Sequence, residues 1–142
     1  MYKRILAAID CEDEPGTALI LERCASLARL CDAKVSIVHV RLSIPKAYSR
    51  RLEWYSEVDL VREIKAILRD LAHRYALEGC LSEVHAPAGS VARGVIRTAE
   101  EIRSDIIVIA AHEMTLGRVI LGSNAQAITR DAPCDALVVK VR

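Results

Sequence analysis

The chain has 142 residues, a length that predicts a single domain spanning 1–142 with one hydrophobic core. Its 20 basic and 19 acidic residues give a net charge of +1, so composition excludes a long-range attraction to nucleic acid or to an anionic membrane. One Trp, four Tyr and no Phe also leave too few aromatic side chains for a surface that stacks single-stranded bases.

The N-terminal segment begins with one short apolar run, at residues 5–9. It is too short for the core of a signal peptide, and no apolar run approaches the ~20 residues of a transmembrane helix. We therefore expect a cytoplasmic protein with no membrane partner. The same run is nearly continuous in apolar residues, as in a parallel strand covered on both faces, and predicts the first strand.

A first helix and a second strand follow. Pro15 suits a first helical turn, and apolar residues recur on one face at Ile20, Cys24, Leu27, Ala28 and Cys31. Residues 35–40 predict the second strand. The next segment, 41–51, contains Pro45 and four basic residues, and predicts a long mobile loop that could close as a lid.

The middle of the chain predicts a second helix from about Ser56, because Ile64, Ile67, Leu68 and Leu71 follow helical spacing. Gly79 is the expected stop signal. Residues 84–86 are a weaker candidate for a third strand. Ser90 is a candidate cap for a third helix with apolar positions at Val91, Val95, Ala99 and Ile102.

The C-terminal part contains two more strands, at 106–111 and 136–141, on either side of a fourth helix. A short polar loop is expected after the fourth strand. Ser123 with Gln126 fits the S-x-x-Q capping box at the start of this helix, and Pro133 ends it.

This alternation predicts an α/β fold, a doubly wound five-stranded parallel sheet in the order 3-2-1-4-5 with helices on both faces. Strands one and four are then neighbours where the winding reverses, so Asp10 and His112 should emerge at one crevice. The N-terminus of the fourth helix, at Gly122-Ser123, should offer its amides to an anion there.

Several segments together resemble the universal stress protein family. They are residues 5–10, 33–40, 89–90, 105–109, 121–123 and 132–139, and their order and spacing span essentially the whole chain. The resemblance implies an adenine nucleotide alpha hydrolase-like, Rossmann-like fold. It also implies a cytosolic regulator of stress responses, commonly a homodimer, in a family where many members bind ATP or another adenine nucleotide without an established catalytic chemistry.

Nucleotide-binding members carry a G-x2-G-x9-G-[S/T] signature for the phosphates. By resemblance, the candidate ligand positions here are Asp10, Val40, Gly122, Ser123 and Asn124, and His112 is a further candidate as a donor to phosphate. The first two glycines of the signature fall on Ala110 and Glu113, and the following loop is one residue short. A Cβ and a carboxylate at these positions predict a weakened site for ATP or AMP, with or without Mg²⁺.

Other interpretations stay open at this point. The chain could be a genuine ATP-binding stress protein, or Gly122-Ser123 could be only a loop-to-helix junction. A third alternative is a redox sensor that uses Cys11, although Asp10, Glu12, Asp13 and Glu14 oppose thiolate formation. The same carboxylates could bind Mg²⁺ or could simply form a solvated loop.

The last strand lies at the edge of the proposed sheet, and a β-branched edge invites pairing with a second copy. We expect a homodimer through Leu137, Val138, Val139 and Val141, unless Lys140 blocks the pairing. The five cysteines, which include Cys80 and Cys134, show no disulfide framework or zinc spacing. Because no catalytic motif or metal centre is present, we expect a regulatory protein that is not an enzyme.

Overall fold

The computed structural model describes residues 1–42, 56–115, 118–119 and 121–142 of the chain. Within these ranges the elements in chain order are β1 (Arg4–Ala8), α1 (Glu14–Cys31), β2 (Lys34–Val38), α2 (Glu57–Arg74), β3 (Leu81–His85), α3 (Val91–Glu101), β4 (Ile106–Thr115), β5 (Arg118–Val119), α4 (Ser123–Asp131) and β6 (Asp135–Val141). From position 43 onward, the lid predicted at 41–51 lies outside the described residues. None of the helices in the described ranges is long and apolar enough to cross a membrane.

β1 lies at the centre of a parallel sheet, between β2 and β4. Ile5 of β1 is opposite Val35 on one side and Ile106 on the other. β3 extends the sheet beyond β2, and β6 extends it beyond β4, again in parallel. The predicted order 3-2-1-4-5 is confirmed, because β6 is the fifth of the parallel strands.

The predicted end of the fourth strand at Ala111 and the polar loop after it are wrong. β4 continues to Thr115 and pairs with β5 in an antiparallel ribbon, with Glu113 opposite Val119. The residues after Ala111 include His112 and Glu113 and form no continuous apolar run, so the pattern that marks a buried strand stops early. Backbone pairing with β5 extends β4 beyond Ala111, where the side chains of His112 and Glu113 are exposed.

The sheet is covered by helices on both faces, as predicted. Side chains alternate along each strand, so the two faces build separate apolar layers. One layer joins Ile5, Val35 and Val108 to α1 and α2, and the other joins Leu6 and Ile107 to α3 and α4. This double coverage explains why the strands contain nearly continuous apolar runs, since a side chain on either face is buried.

The helix termini agree with the sequence only in part. Pro15 lies in the first turn of α1, and Ser56 caps α2 in a reciprocal pair with Asp59, as the start near Ser56 predicted. The stop signal expected at Gly79 is wrong, because α2 ends at Arg74 and the chain turns at Ala76 with φ of 56°. Leu77, which is fully buried, follows this turn and anchors the chain to the core.

A single carboxylate connects the beginnings of β1 and β4. Asp105 Oδ2 accepts hydrogen bonds from the amides of Lys3 and Arg4, both at 2.7 Å. Ser104 Oγ donates to the Arg4 carbonyl at 3.2 Å or to that of Ile106 at 2.9 Å. The amides of Lys3 and Arg4 lower the pKa of the Asp105 carboxyl below its ordinary value, because they stabilise the charged form.

We expect Asp105→Asn to lower the free energy of unfolding by about 1 kcal/mol near neutral pH, because the amide group accepts the two hydrogen bonds without a charge and the site is partly solvated. A carboxyl whose pKa is depressed in the folded state contributes stability above its unfolded pKa and loses it as the pH falls through the folded value. The difference between wild type and variant should therefore shrink in acid. Urea unfolding at a series of pH values measures it.

Asp70→Asn is the matched control, since Asp70 forms an exposed ion pair with Arg74 at 3.3 Å on the surface of α2. We expect this substitution to lower the free energy of unfolding by no more than about 0.5 kcal/mol. Equal losses in the two variants, or a loss in Asp105→Asn that is the same at all pH values, would contradict the role assigned to Asp105.

Candidate functional site

A cleft of about 750 Å³ opens beyond the carboxyl ends of β1 and β4, where the winding of the sheet reverses. The structure brings together in its lining all the candidate residues that the sequence proposed, namely Asp10, Val40, His112, Gly122, Ser123 and Asn124. The predicted convergence of the ends of strands one and four is therefore correct. Val91, Val95, Ile109 and Ile128 add an apolar wall to this polar rim.

The segment after β1, residues 10–13, forms one wall of the cleft and is held rigidly against α1. Asp10 Oδ1 accepts from the Glu12 amide at 2.9 Å, and the Asp10 carbonyl accepts from the buried Thr17 hydroxyl at 2.8 Å. Asp13 Oδ1 caps α1 by accepting from the Gly16 amide at 3.1 Å. A Cβ at position 16 would overlap the Asp13 carboxylate, so a larger residue there would force this side chain to move.

His112 connects β4 to this acidic segment. Its Nε2 lies 2.6 Å from Oδ2 of Asp13, a partner that the sequence analysis did not identify. The contact joins residues that are 99 positions apart, so only the adjacency of β1 and β4 could have suggested it. The His112 side chain remains 45% exposed, so it is accessible from the cleft while it is held by Asp13.

His39, at the end of β2, holds the same segment from the other side. The Cys11 amide donates to His39 Nδ1 at 3.2 Å, and the His39 amide continues the pairing with β3 by donating to the His85 carbonyl at 3.0 Å. His39 also lines the cleft. His39 was not among the predicted site residues, and the available signal was a polar residue within the predicted strand 35–40, directly before the candidate Val40.

The Cys11 thiol is in an unfavourable setting for redox chemistry. Burial first, and then the negative charges of Asp10 and Glu12, raise the pKa of the Cys11 thiol above its ordinary value. The thiolate that a redox sensor needs is therefore disfavoured at neutral pH. His112, on the neighbouring strand β4, is hydrogen bonded to Asp13.

The start of α4 presents backbone amides to the cleft. The predicted capping box of Ser123 and Gln126 is wrong, because the helix begins at Ser123, its N-cap is Gly122, and Gln126 Nε2 donates to the Leu121 carbonyl at 2.7 Å. Within the described residues, no side-chain cap satisfies the first-turn amides. Gly122, Ser123 and Asn124 are all exposed, which leaves these amides open to an anionic ligand.

The two positions that depart from the family's phosphate signature differ in their relation to the cleft. Ala110 lines it, so its Cβ occupies space that a glycine would leave open. Glu113 is exposed and is not part of the described lining. The carboxylate that was expected to repel a phosphate therefore lies outside the wall, in the ribbon opposite Val119.

The charge of the described lining is predominantly negative. Asp10, Glu12 and Asp13 supply three carboxylates, and the one Lys or Arg among the described lining residues is Arg41. Its guanidinium is bound to Glu57 at 2.5 Å and to the Ala86 carbonyl at 3.1 Å. Over the described part of the chain, no group of three or more His, Cys, Asp or Glu side chains could hold a metal ion.

The helix α3 approaches the cleft closely at Gly94. A Cβ at this position would lie 2.6 Å from Cγ2 and 3.1 Å from Cγ1 of Val40, whereas non-bonded carbons prefer about 3.5–4.0 Å. Glycine therefore lets α3 pack directly on the side of the cleft that Val40 forms. The helical conformation does not require glycine at position 94, but the short distance from α3 to Val40 favours it.

A second hollow, of about 450 Å³, lies at the opposite end of the sheet. Basic side chains from Arg4, Lys34 and Arg103 alternate there with Glu83 and Glu101. This mixture of charges favours no one class of ligand. The larger cleft, with separate apolar and polar parts, is the candidate functional site.

The edge strand β6 carries the predicted dimer interface. Among the described strands it pairs only with β4, so its other edge is unpaired. Leu137, Val138 and Val141 are partly exposed, whereas Val139 is only 7% exposed and belongs to the core. Val139 can thus contribute its backbone to an interface but little of its side chain.

Solved structures of similar fold cover nearly the whole chain. A universal stress protein in complex with cAMP matches 99% of this chain and 98% of its own, with a TM-score of 0.68 and 20% identity. A universal stress protein from Archaeoglobus fulgidus in complex with dAMP matches 98% of each chain, with a TM-score of 0.66 and 22% identity. These likenesses confirm the adenine nucleotide alpha hydrolase-like fold.

Sequence comparisons give the same result. The model of the Universal stress protein family matches residues 1–140. Universal stress protein A homolog 1 of Coxiella burnetii is 33% identical over 142 residues, which cover 97% of this chain and 96% of that protein. Universal stress protein G of Salmonella typhimurium is 25% identical over 146 residues, with 99% and 100% covered. The chain belongs to the universal stress protein family.

Proposed function

We propose that this chain is a cytoplasmic, dimeric stress regulator that binds an adenine nucleotide, favours a monophosphate over a triphosphate, and catalyses no reaction. The observation that carries the proposal is the convergence of all six candidate residues in one cleft at the reversal of the sheet. The family membership, and the complexes of two similar proteins with cAMP and dAMP, support it.

The cleft has parts that suit each portion of a nucleoside monophosphate. Val40, Val95 and Ile109 give an apolar surface for a planar base. The Asp10 carboxylate, of which only Oδ1 accepts a described hydrogen bond, has a second oxygen for a hydroxyl donor such as a ribose. The amides at the start of α4 suit the phosphate.

The charge of the lining supports the preference for a monophosphate. The carboxylates of Asp10, Glu12 and Asp13 face a ligand that is itself negative, and each close pair costs about 1 kcal/mol at 4 Å even in bulk water. A triphosphate adds about two further charges to this repulsion. The Cβ of Ala110 narrows the space for the additional phosphates.

A non-catalytic role is supported by the state of two reactive groups in the cleft. His112 Nε2 is bound to Asp13, and the raised pKa of the Cys11 thiol keeps it protonated. A bound nucleotide would then act by shifting the equilibrium between states of the protein that bind a partner differently. Regulation by occupancy needs no turnover of the ligand.

The proposed dimer forms through the unpaired edge of β6. Antiparallel pairing with a second copy would satisfy the exposed backbone groups of this edge and cover Leu137, Val138 and Val141. The family resemblance points to the same homodimer.

Isothermal titration with AMP and with ATP, with and without Mg²⁺, tests the proposed ligand. We expect AMP to bind about tenfold more tightly than ATP, and to stabilise the protein by about 2.7 kcal/mol at a hundredfold excess over its Kd. Phosphorus NMR should recover both nucleotides unchanged after incubation. Failure of AMP to bind, or tighter binding of ATP, would overturn the assignment.

The companion variant Glu113→Gly separates charge repulsion from other causes of weak ATP binding. Because Glu113 is not part of the described lining of the cleft, we expect its removal to change ATP affinity by less than about twofold and to leave AMP affinity the same. An unchanged ATP affinity would leave the lining carboxylates and Ala110 as the sources of discrimination.

Gly122→Ala tests the phosphate position. A Cβ at Gly122 meets no atom within 4 Å, so the methyl group should fit the protein and crowd only a ligand held at the start of α4. We expect about a tenfold loss of AMP affinity with a stability cost below about 1 kcal/mol. Gly79→Ala is the control, because its Cβ also meets no atom and lies outside the cleft. Equal AMP affinity in both variants would argue against this phosphate position.

Val141→Lys tests the proposed dimer. The substitution would place a charged side chain in the proposed interface without removing a member of either core layer, so it should shift the protein from dimer to monomer at micromolar concentration. Light scattering measures the mass. Val58→Lys on α2, where Val58 is 65% exposed, should leave the mass unchanged. A wild-type protein that is already monomeric would refute the interface.

A further inference from the structure

His39 has one ring nitrogen engaged by the protein and one that is not. The Cys11 amide donates to Nδ1 at 3.2 Å. Among the residues that the structure describes, no group forms a hydrogen bond with Nε2. This nitrogen is also not buried, so it is accessible to a hydrogen-bonding partner from outside the protein. Because the residue lines the cleft, Nε2 is positioned to meet a ligand there.

The hydrogen bond from Cys11 fixes the position of the ring proton. An amide N–H is only a donor, so Nδ1 must offer its lone pair and carry no proton. A neutral imidazole then carries its single proton on Nε2. The backbone of residues 10–13 therefore selects the tautomer in which His39 presents an N–H group to the cleft.

The position of His39 indicates which part of the ligand it meets. It follows β2, whereas His112 and the start of α4 lie on the side of β4, two strand spacings or roughly 10 Å away. With the phosphate at the start of α4, the region beside His39 and Val40 is left for the nucleoside. Asp10, which follows the central strand β1, is an acceptor and cannot supply a donor.

We propose that His39 determines ligand specificity, as a neutral imidazole that donates one hydrogen bond from Nε2 to an uncharged acceptor on the nucleoside, either a ring nitrogen or a ribose oxygen. This inference rests on the proposed function, since it assigns a donor within the same nucleotide site. A ligand without this acceptor leaves a desolvated N–H group unpaired and binds less tightly.

The same ring also positions the acidic segment, and two substitutions separate these roles. In His39→Asn, the side-chain oxygen can take the place of Nδ1 and hold the Cys11 amide, while the donor at Nε2 is lost. In His39→Gln, the amide nitrogen can reach the place of Nε2 and donate, while the acceptor for Cys11 is lost. Only the donor role predicts that discrimination among ligands is lost in the first variant and kept in the second.

The first experiment measures the tautomer in the unmodified, ligand-free protein. Nitrogen-15 NMR at about pH 8, where an ordinary histidine is neutral, should show a protonated Nε2 and an unprotonated Nδ1 for His39. Through-bond correlations from the His39 backbone assign its ring signals. A protonated Nδ1 would overturn the inference, and this result does not depend on whether any variant folds or on whether a nucleotide binds.

The second experiment measures coupling between the residue and single ligand atoms. AMP is compared with its 1-deaza, 3-deaza, 7-deaza, 2′-deoxy and 3′-deoxy analogues by titration calorimetry. One analogue should lack the acceptor that His39 contacts. We expect this analogue to bind wild type and His39→Gln about tenfold more weakly than AMP does. In His39→Asn the same analogue should bind less than about twofold more weakly than AMP.

The outcomes distinguish a failure of this inference from a failure of the proposed function. If wild type binds AMP and every analogue loses the same factor in wild type and in His39→Asn, the donor role is wrong and the proposed function stands. If wild type binds no AMP, the proposed function and the donor role both fail, while the tautomer is still decided by the first experiment.

Discussion

The architecture depends on the pairing of β1 with a parallel strand on each edge. Because β2 and β4 both run in the direction of β1, their carboxyl ends meet at one side of the sheet. The helices that follow β1 and β4 leave in opposite directions, α1 toward one face and α4 toward the other, so neither covers this point. The cleft is a direct result of this topology, and no special loop is required to form it.

The sequence predicted the parts of the structure that follow from burial and chain order. The apolar runs of β1, β2 and β4 are covered on both faces, so they were visible as strands, and their right-handed connection left one natural order. That order alone brought Asp10 and Ser123 to one cleft. The family resemblance added Val40 and Asn124, which no periodicity indicates.

The remaining features depend on contacts that a local pattern cannot show. The end of α2 is fixed by the burial of Leu77, which outweighs the glycine signal farther along. The bonds of Cys11 with His39 and of Asp13 with His112 join residues 28 and 99 positions apart. They exist only once the strands are in register, and together they hold one acidic segment between two histidines from different strands.

Because Gly94 has no side chain, α3 lies directly against Val40 at the wall of the cleft. Any other residue at this point on α3 would require Val40 or the helix to shift, and Val40 lines the cleft. Even one methyl group at position 94 would therefore change the shape of the cleft by displacing Val40 or α3. Residue 94 thus fixes the spacing between α3 and the wall of the cleft, although it is not itself part of the described lining.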